Sequence, residues 1–212
     1  MLPLERLGRR ARMSGAIAPF VRGMDCGGGP PLIECTRPRG QKPLDPWPDG
    51  RWEKNMHRTK NDLSEKIRTQ VATLLQERLA EAVDLVTQAH WNVKGPNFIA
   101  LHELFDKVYE HAGDHADLIA ERIVQLGGTA EGTARVAAKR SQLPEYPLAI
   151  ASGREHIEAL SHSLAYFGET IRKAINLADE VGDKDTADLF TEISRSVDKD
   201  LWFVEAHTQS ER

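Results

Sequence analysis

From Asn61 to His207 apolar residues recur at helical spacing, and glycine or proline punctuates the pattern, which leaves this part of the chain few ways to fold. Ile67, Val71, Leu74, Leu75, Leu79, Val83 and Val86 form an i, i+3, i+4, i+7 stripe. Asp62 and Ser64 precede the stripe as candidate N-caps, and Gly95 and Pro96 follow it as stop signals, so the spacing predicts one long helix ending near Lys94. A second helix is expected over residues 97–126, stopped by Gly127 and Gly128, and the short connection makes the two antiparallel neighbours. Residues 129–150 carry Gly132, Pro144 and Pro147 and read as a crossover, with a short helix around Ala134 to Lys139. A third helix over residues 152–181 carries Ile157, Leu160, Leu164, Phe167, Ile171 and Ile175 and is ended by Gly182. A fourth starts after Asp183 and runs to about His207, with Leu189, Ile193, Val197, Leu201 and Val204 on its core face. No strand-like alternation and no internal repeat competes with this reading.

Two antiparallel helices, a long crossover and two more antiparallel helices make an all-α four-helix bundle with one long connection, the ferritin-like arrangement. The length of 212 residues suits one such domain, and no run of eighteen or more apolar residues suggests a membrane span. Residues 1–55 differ in character: eight glycines and eight prolines fall there without any apolar period, which predicts a disordered tail. Residues 1–60 hold twelve Lys/Arg against six Asp/Glu and residues 61–212 sixteen against twenty-six, so a +6 end adjoins a −10 body. Such a tail suits phosphate or another anionic surface, and the acidic body attracts cations. The start is Arg-rich but lacks the unbroken apolar run of a secretory signal, and both cysteines, Cys26 and Cys35, lie in the tail, so a reducing, cytoplasmic location is expected. The change of composition at Met56 divides the chain into a tail, 1–55, and a folded domain, 56–212, and suggests that the working chain begins at Met56.

The residues that carry chemistry cluster between His90 and Glu121. His102 and Asp106 are four apart, as are Asp117 and Glu121, so each pair projects from one helical face, one turn above the other. A lone pair of this kind is ordinarily a solvated helix face. Here the pairs are in phase: eleven residues at about 100° each bring Asp117 back to within roughly 20° of Asp106, but roughly 16 Å further along the axis. Ligand bonds of about 2 Å forbid one ion from reaching both pairs on one straight helix. His90, across the tight turn, can approach His102 and Asp106. A bundle-centred site is not available, because the third helix offers Glu155 and Glu158 and then Ser161 where a histidine would be needed. In a twofold dimer with antiparallel copies of the second helix, however, His90, His102 and Asp106 of one chain face Asp117 and Glu121 of the other, making two equivalent sites. Imidazole and carboxylate without sulfur suit iron, manganese or zinc, and few protein ligands leave open positions for redox chemistry. His111, His115, His156, His162 and His207 are read as surface or packing residues.

These residues resemble the Dps (DNA protection during starvation) miniferritins over about Met56 to His207. The segments that carry the resemblance are QAHWNVKGPNFIALHELFD, DLIAERIVQLGGTAEGTA, YPLAI and DTADLFTEISRSVDKDLWFVEAH. The resemblance implies a hollow dodecamer built from twofold dimers, with ferroxidase sites at the dimer interfaces. His90, His102, Asp106, Asp117 and Glu121 occupy the metal-ligand positions, two irons are bound per shared site, and Trp91 matches the tryptophan beside it, a redox neighbour. The implied activity is oxidation of Fe(II), preferably by hydrogen peroxide, with storage of ferric mineral in the shell. Asp183, Asp185 and Asp188 resemble residues lining the family's iron pore, although a carboxylate at a helix N-terminus also suits the helix dipole without any pore. Some members bind DNA through a basic N-terminal tail, so a non-enzymatic, nucleoid-associated shell that compacts DNA is the alternative function.

Overall fold

Ser64 starts the first helix: its Oγ accepts the Ile67 N–H at 3.3 Å, and α1 runs Glu65–Asp84. The computed structural model describes residues 56–209 without Val86, so the expectations for residues 1–55, including both cysteines, lie outside the described residues. Four more α-helices carry the expected pattern, α3 (Phe98–Gln125), α4 (Ala134–Arg140), α5 (Gly153–Glu180) and α6 (Lys184–Glu205). Between α1 and α3 lies a short helix, α2 (Thr87–Asn92). No strand occurs among the described residues, only an isolated bridge between Lys94 and Ser152.

The single long helix expected from residues 61–94 is therefore corrected to two. Leu85 leaves the helix with ψ 119°, while its N–H still bonds the Glu81 carbonyl. No glycine or proline marks the break. The last turn of α1 carries Glu81 and Asp84 and no basic residue, a charge pattern opposed to the helix dipole, and β-branched Val86 and Thr87 add little helix propensity. The break also changes which residues are covered. Val83, expected in the core stripe, is 39 % exposed, whereas Leu85, Ala89 and Val93 are buried at i, i+4, i+8.

The helix ends follow the glycines. At the end of α3 the Gly128 N–H bonds the Ile123 carbonyl and the Gly127 N–H bonds the Val124 carbonyl, both at 2.9 Å, a Schellman arrangement that requires the positive φ of Gly127. Gly182 ends α5 in the same way. Helices α1 and α3 pack together, as do α5 and α6, and contacts of α1 with α5 and of α3 with α6 close the bundle, while α4 lies on α1. Leu75, Phe105, Ile119, Ile123, Leu160, Leu164, Phe167, Ile171, Phe190 and Ile193 are fully buried between them. Each such side chain contributes about 1.5–3 kcal/mol by leaving water. The result is the four-helix bundle with one long crossover that the spacing predicts.

One polar network interrupts this core. Arg78 donates to Glu81 at 3.1 Å, and Thr170 donates to the other Glu81 oxygen at 2.8 Å, joining α1 to α5. Burial pushes the Glu81 carboxyl up, and the Arg78 guanidinium opposes that rise.

Candidate metal centre

The break before α2 and the tight turn at Gly95 aim His90 back at the first turns of α3. Gly95 has φ 114°, a conformation that an L side chain disfavours. His90 Nδ1 lies 3.2 Å from Asp106 Oδ1, and the rings of His90 and His102 meet edge to face with centroids 4.2 Å apart. His102 Nδ1 donates to the His90 carbonyl at 3.1 Å. A carbonyl can only accept, so that bond fixes the proton on Nδ1 and leaves the lone pair of His102 on Nε2. Phe98, one turn earlier on α3, packs against the His102 ring at 5.2 Å.

Asp106 keeps half of its side-chain surface exposed and the His90 side chain a fifth. Asp117 and Glu121 also face solvent, further along α3. The structure thus brings His90, His102 and Asp106 together and leaves Asp117 and Glu121 apart from them. Among the described residues no group of three or more His, Cys, Asp or Glu side chains is arranged to enclose a metal ion within one chain. Trp91 is 73 % exposed beside the half-site.

The three aspartates at the α5–α6 junction differ from one another. Asp183 is buried and caps α6, accepting the Thr186 N–H at 3.1 Å, the Thr186 hydroxyl at 2.6 Å and the Arg122 guanidinium at 2.8 Å. Asp185 and Asp188 face solvent. His162 and His207 are exposed, while His115 and His156 are buried. Burial, reinforced by neighbouring His111, holds His115 down to about 4, so it is neutral at physiological pH. Two pairings were invisible in the spacing: His111 Nδ1 sits 3.0 Å from both oxygens of Asp200 on α6, and the Tyr146 hydroxyl meets His156 Nδ1 at 2.8 Å. The first joins α3 to the distant α6 and the second joins the irregular crossover to α5, so no helical periodicity signals either.

Comparison with known proteins agrees with this architecture. The ferritin-like domain family matches residues 69–212. The DNA protection during starvation protein of Agrobacterium fabrum is 47 % identical over 156 residues, covering 72 % of this chain and 96 % of that protein. The chain belongs to the Dps family of ferritin-like proteins. Among solved Dps structures, that of Mycobacterium smegmatis in its tetragonal form is 34 % identical with a TM-score of 0.69, covering 73 % of this chain and 95 % of that one. The Dps of Microbacterium arborescens, described in its high iron form, is 35 % identical with a TM-score of 0.65, covering 72 % of this chain and 99 % of that one. The Dps fold accounts for the long crossover and for the four long helices. No described helix of this Dps chain is long and apolar enough to cross a membrane.

Proposed function

We propose that this Dps chain is a ferroxidase and iron-storage protein whose sites are shared across a twofold dimer axis. The observation that carries the reading is the half-site: His90, His102 and Asp106 converge within one chain, while Asp117 and Glu121 stand in phase on the same helix but too far along it to join them. Antiparallel pairing of two α3 helices supplies each triad with the partner's carboxylate pair. Two Fe(II) ions held there as substrate reduce one hydrogen peroxide by two electrons, breaking the O–O bond and giving two waters with uptake of two protons. Paired electron delivery avoids release of hydroxyl radical. The protein's part is to hold the ions close together and leave coordination positions for the oxidant. Hydrolysis of the ferric product releases protons and deposits an oxyhydroxide mineral inside a dodecameric shell, in a cytoplasmic setting. Asp185 and Asp188, both solvent-facing, are the pore residues in this reading, and buried Asp183 caps the helix that presents them.

Stopped-flow Fe(II) oxidation, with peroxide and separately with dioxygen, tests the proposal on protein of measured mass and oligomer size. Peroxide is expected to react faster. Replacing Asp117 and Glu121 together by alanine is expected to abolish oxidation, and retained oxidation refutes the site assignment. A metal-loaded monomer refutes the shared site.

The name that its relatives carry, DNA protection during starvation, favours a second role in shielding DNA, served by the +6 end of the chain through phosphate contacts. A gel shift at low and moderate salt, with the full chain and with a chain starting at Met56, tests it; absence of any shift with both removes the nucleoid role.

A further inference from the structure

We infer that α3 carries a self-complementary contact line for a second copy of this chain, with Gly113 near its centre and Ile99 and Val124 at its ends. At about 100° per residue, Ile99, Asp106, Gly113, Asp117 and Val124 fall within roughly 20° of one line along the helix. The bundle side of α3 carries Phe105, Ala112, Ile119 and Ile123, all buried, so this line faces outward. Ile99 is 63 % exposed and Val124 58 %, and Gly113 is exposed as well. Apolar residues scattered singly on a surface are ordinary. These two are placed in step with the metal-site residues: the point midway between Asp106 and Asp117 is also midway between His102 and Glu121, and between Ile99 and Val124. A twofold axis at that point reverses the order of the helix. The register that sets Asp106 across from the partner's Asp117 therefore also sets Ile99 across from the partner's Val124.

Gly113 is a second, independent observation. A glycine inside a helix weakens it relative to alanine. A Cβ at Gly113 would meet nothing within 4 Å in its own chain, so nothing in the bundle calls for a glycine. It stands beside the midpoint, where two α3 helices would cross, and the side chains at a crossing set how closely the two axes approach. A missing side chain lets them come to the short end of the usual range, about 8 Å. Aspartate has the shorter carboxylate side chain, and ligand bonds of about 2 Å leave little slack. Asp106 and the partner's Asp117 need that close approach to hold ions between them. Ile99 and the partner's Val124 then close the outer end of each shared site, about one turn beyond His102 and Glu121, and their contact removes apolar surface from water.

This register rests on the shared-site reading, and the test reads assembly apart from chemistry. Three full-length variants are compared: Ile99→Glu, Val124→Lys and Gly113→Leu. All three positions are open to solvent within one chain, so helicity by circular dichroism is expected to stay at the wild-type level. Sedimentation velocity over a concentration series, without metal, reads assembly. Ile99→Glu alone and Val124→Lys alone each set a charge against an apolar side chain twice per dimer. Each is expected to raise the concentration at which half of the assembly comes apart, by about tenfold for each contact broken. Mixed in equal amounts, the two variant chains pair with one contact between the introduced Glu and Lys and one between native Ile99 and Val124, so assembly and Fe(II) oxidation should return together. Gly113→Leu is expected to weaken assembly at least as much, although leucine is the better helix former. Wild-type assembly of either single variant overturns the contact line, and variants that come apart without rescue by mixing overturn the register. Normal assembly of Gly113→Leu overturns the role of the glycine. Rescue by mixing in a protein that oxidises no Fe(II) leaves the contact line standing and sinks the ferroxidase reading, whereas a monomeric wild-type chain overturns both.

Discussion

Replacing Asp183 by alanine separates a capping role from a pore role, because the two predict opposite changes in stability and iron uptake. Asp183 is 2 % exposed, Arg122 7 % and Thr186 0 %, so the cluster they form is closed to water. Alanine removes the α6 cap, worth about 1 kcal/mol. It also leaves the Arg122 guanidinium buried without its carboxylate, for which about 3–5 kcal/mol is usual. Arg122 retains the Thr186 hydroxyl at 2.9 Å and Gln125 at 3.3 Å, with Asp185 at 3.9 Å, so the loss belongs near the lower end. The expected total is about 3–4 kcal/mol. For a chain of this size that lowers the melting temperature by about 10 °C. Thermal and urea unfolding at fixed protein concentration measure it, the concentration being held because assembly adds to apparent stability. Substituting Arg122→Met together with Asp183→Leu should cost less than Asp183→Ala alone, since neither charge is then left unpaired. A loss below about 1 kcal/mol for the single variant, the size of an exposed pair, refutes the capping account. Slower iron uptake by an Asp183 variant of undiminished stability restores Asp183 to the pore.

Asp185→Asn with Asp188→Asn should do the reverse, slowing mineral formation at limiting Fe(II) while leaving unfolding within about 0.5 kcal/mol of wild type, as for other exposed positions; unchanged mineralisation kinetics remove the pore assignment. Gly153→Ala places a methyl against the buried Leu101 side chain and should cost about 1–3 kcal/mol by overpacking, read by urea unfolding, and a neutral result means that α5 and α3 are less closely docked than described. Burial holds the His156 imidazole below the ordinary histidine range. Its folded pKa being depressed, the stabilisation is present above the unfolded value of about 6.5 and is lost as pH falls from there through the folded value. His156→Gln should flatten that part of the pH–stability curve, and an unchanged slope shows that other groups dominate it.

How much of this was legible in the sequence depends on whether the signal was local. The spans of α3, α5 and α6 follow from stripes bounded by Gly95, Gly127 and Gly182, each of which does adopt the positive φ that its stop signal implies. Ser64, a candidate cap in the sequence, does bond a backbone N–H three residues on, and Ser152, expected as the first residue of its helix, proves to be the cap instead. The break at Leu85 was not legible, because the apolar spacing runs through it and no breaker residue stands there; the tertiary advantage of burying Leu85, Ala89 and Val93 on a re-aimed axis outweighs continuity of the helix. The charged groups inside the bundle were equally hidden. Nothing near Glu81 in sequence announces Thr170, and nothing near Arg122 announces Asp183, since each partner lies on a helix beyond the crossover.

The candidate site shows the same division in a form that bears on mechanism. The in-phase spacing of His102, Asp106, Asp117 and Glu121 is a property of one helix and needs no tertiary information. The place of His90 is not such a property. Had α1 continued unbroken to Lys94, the imidazole would sit wherever the phase of that helix happened to leave it. Instead α2 is a separate short piece, turned so that its His90 carbonyl accepts from His102 while its ring stands beside Asp106. The break thus converts a residue of the first helix into a neighbour of the third, and one backbone carbonyl orients the imidazole that would bind the cation. A helix of six residues holds this geometry only through what it is docked on. The half-site is therefore exposed to changes at the Lys94–Ser152 bridge to the start of α5, which contributes no ligand, as well as to changes at the dimer axis, which supplies the remaining ones in the shared-site reading.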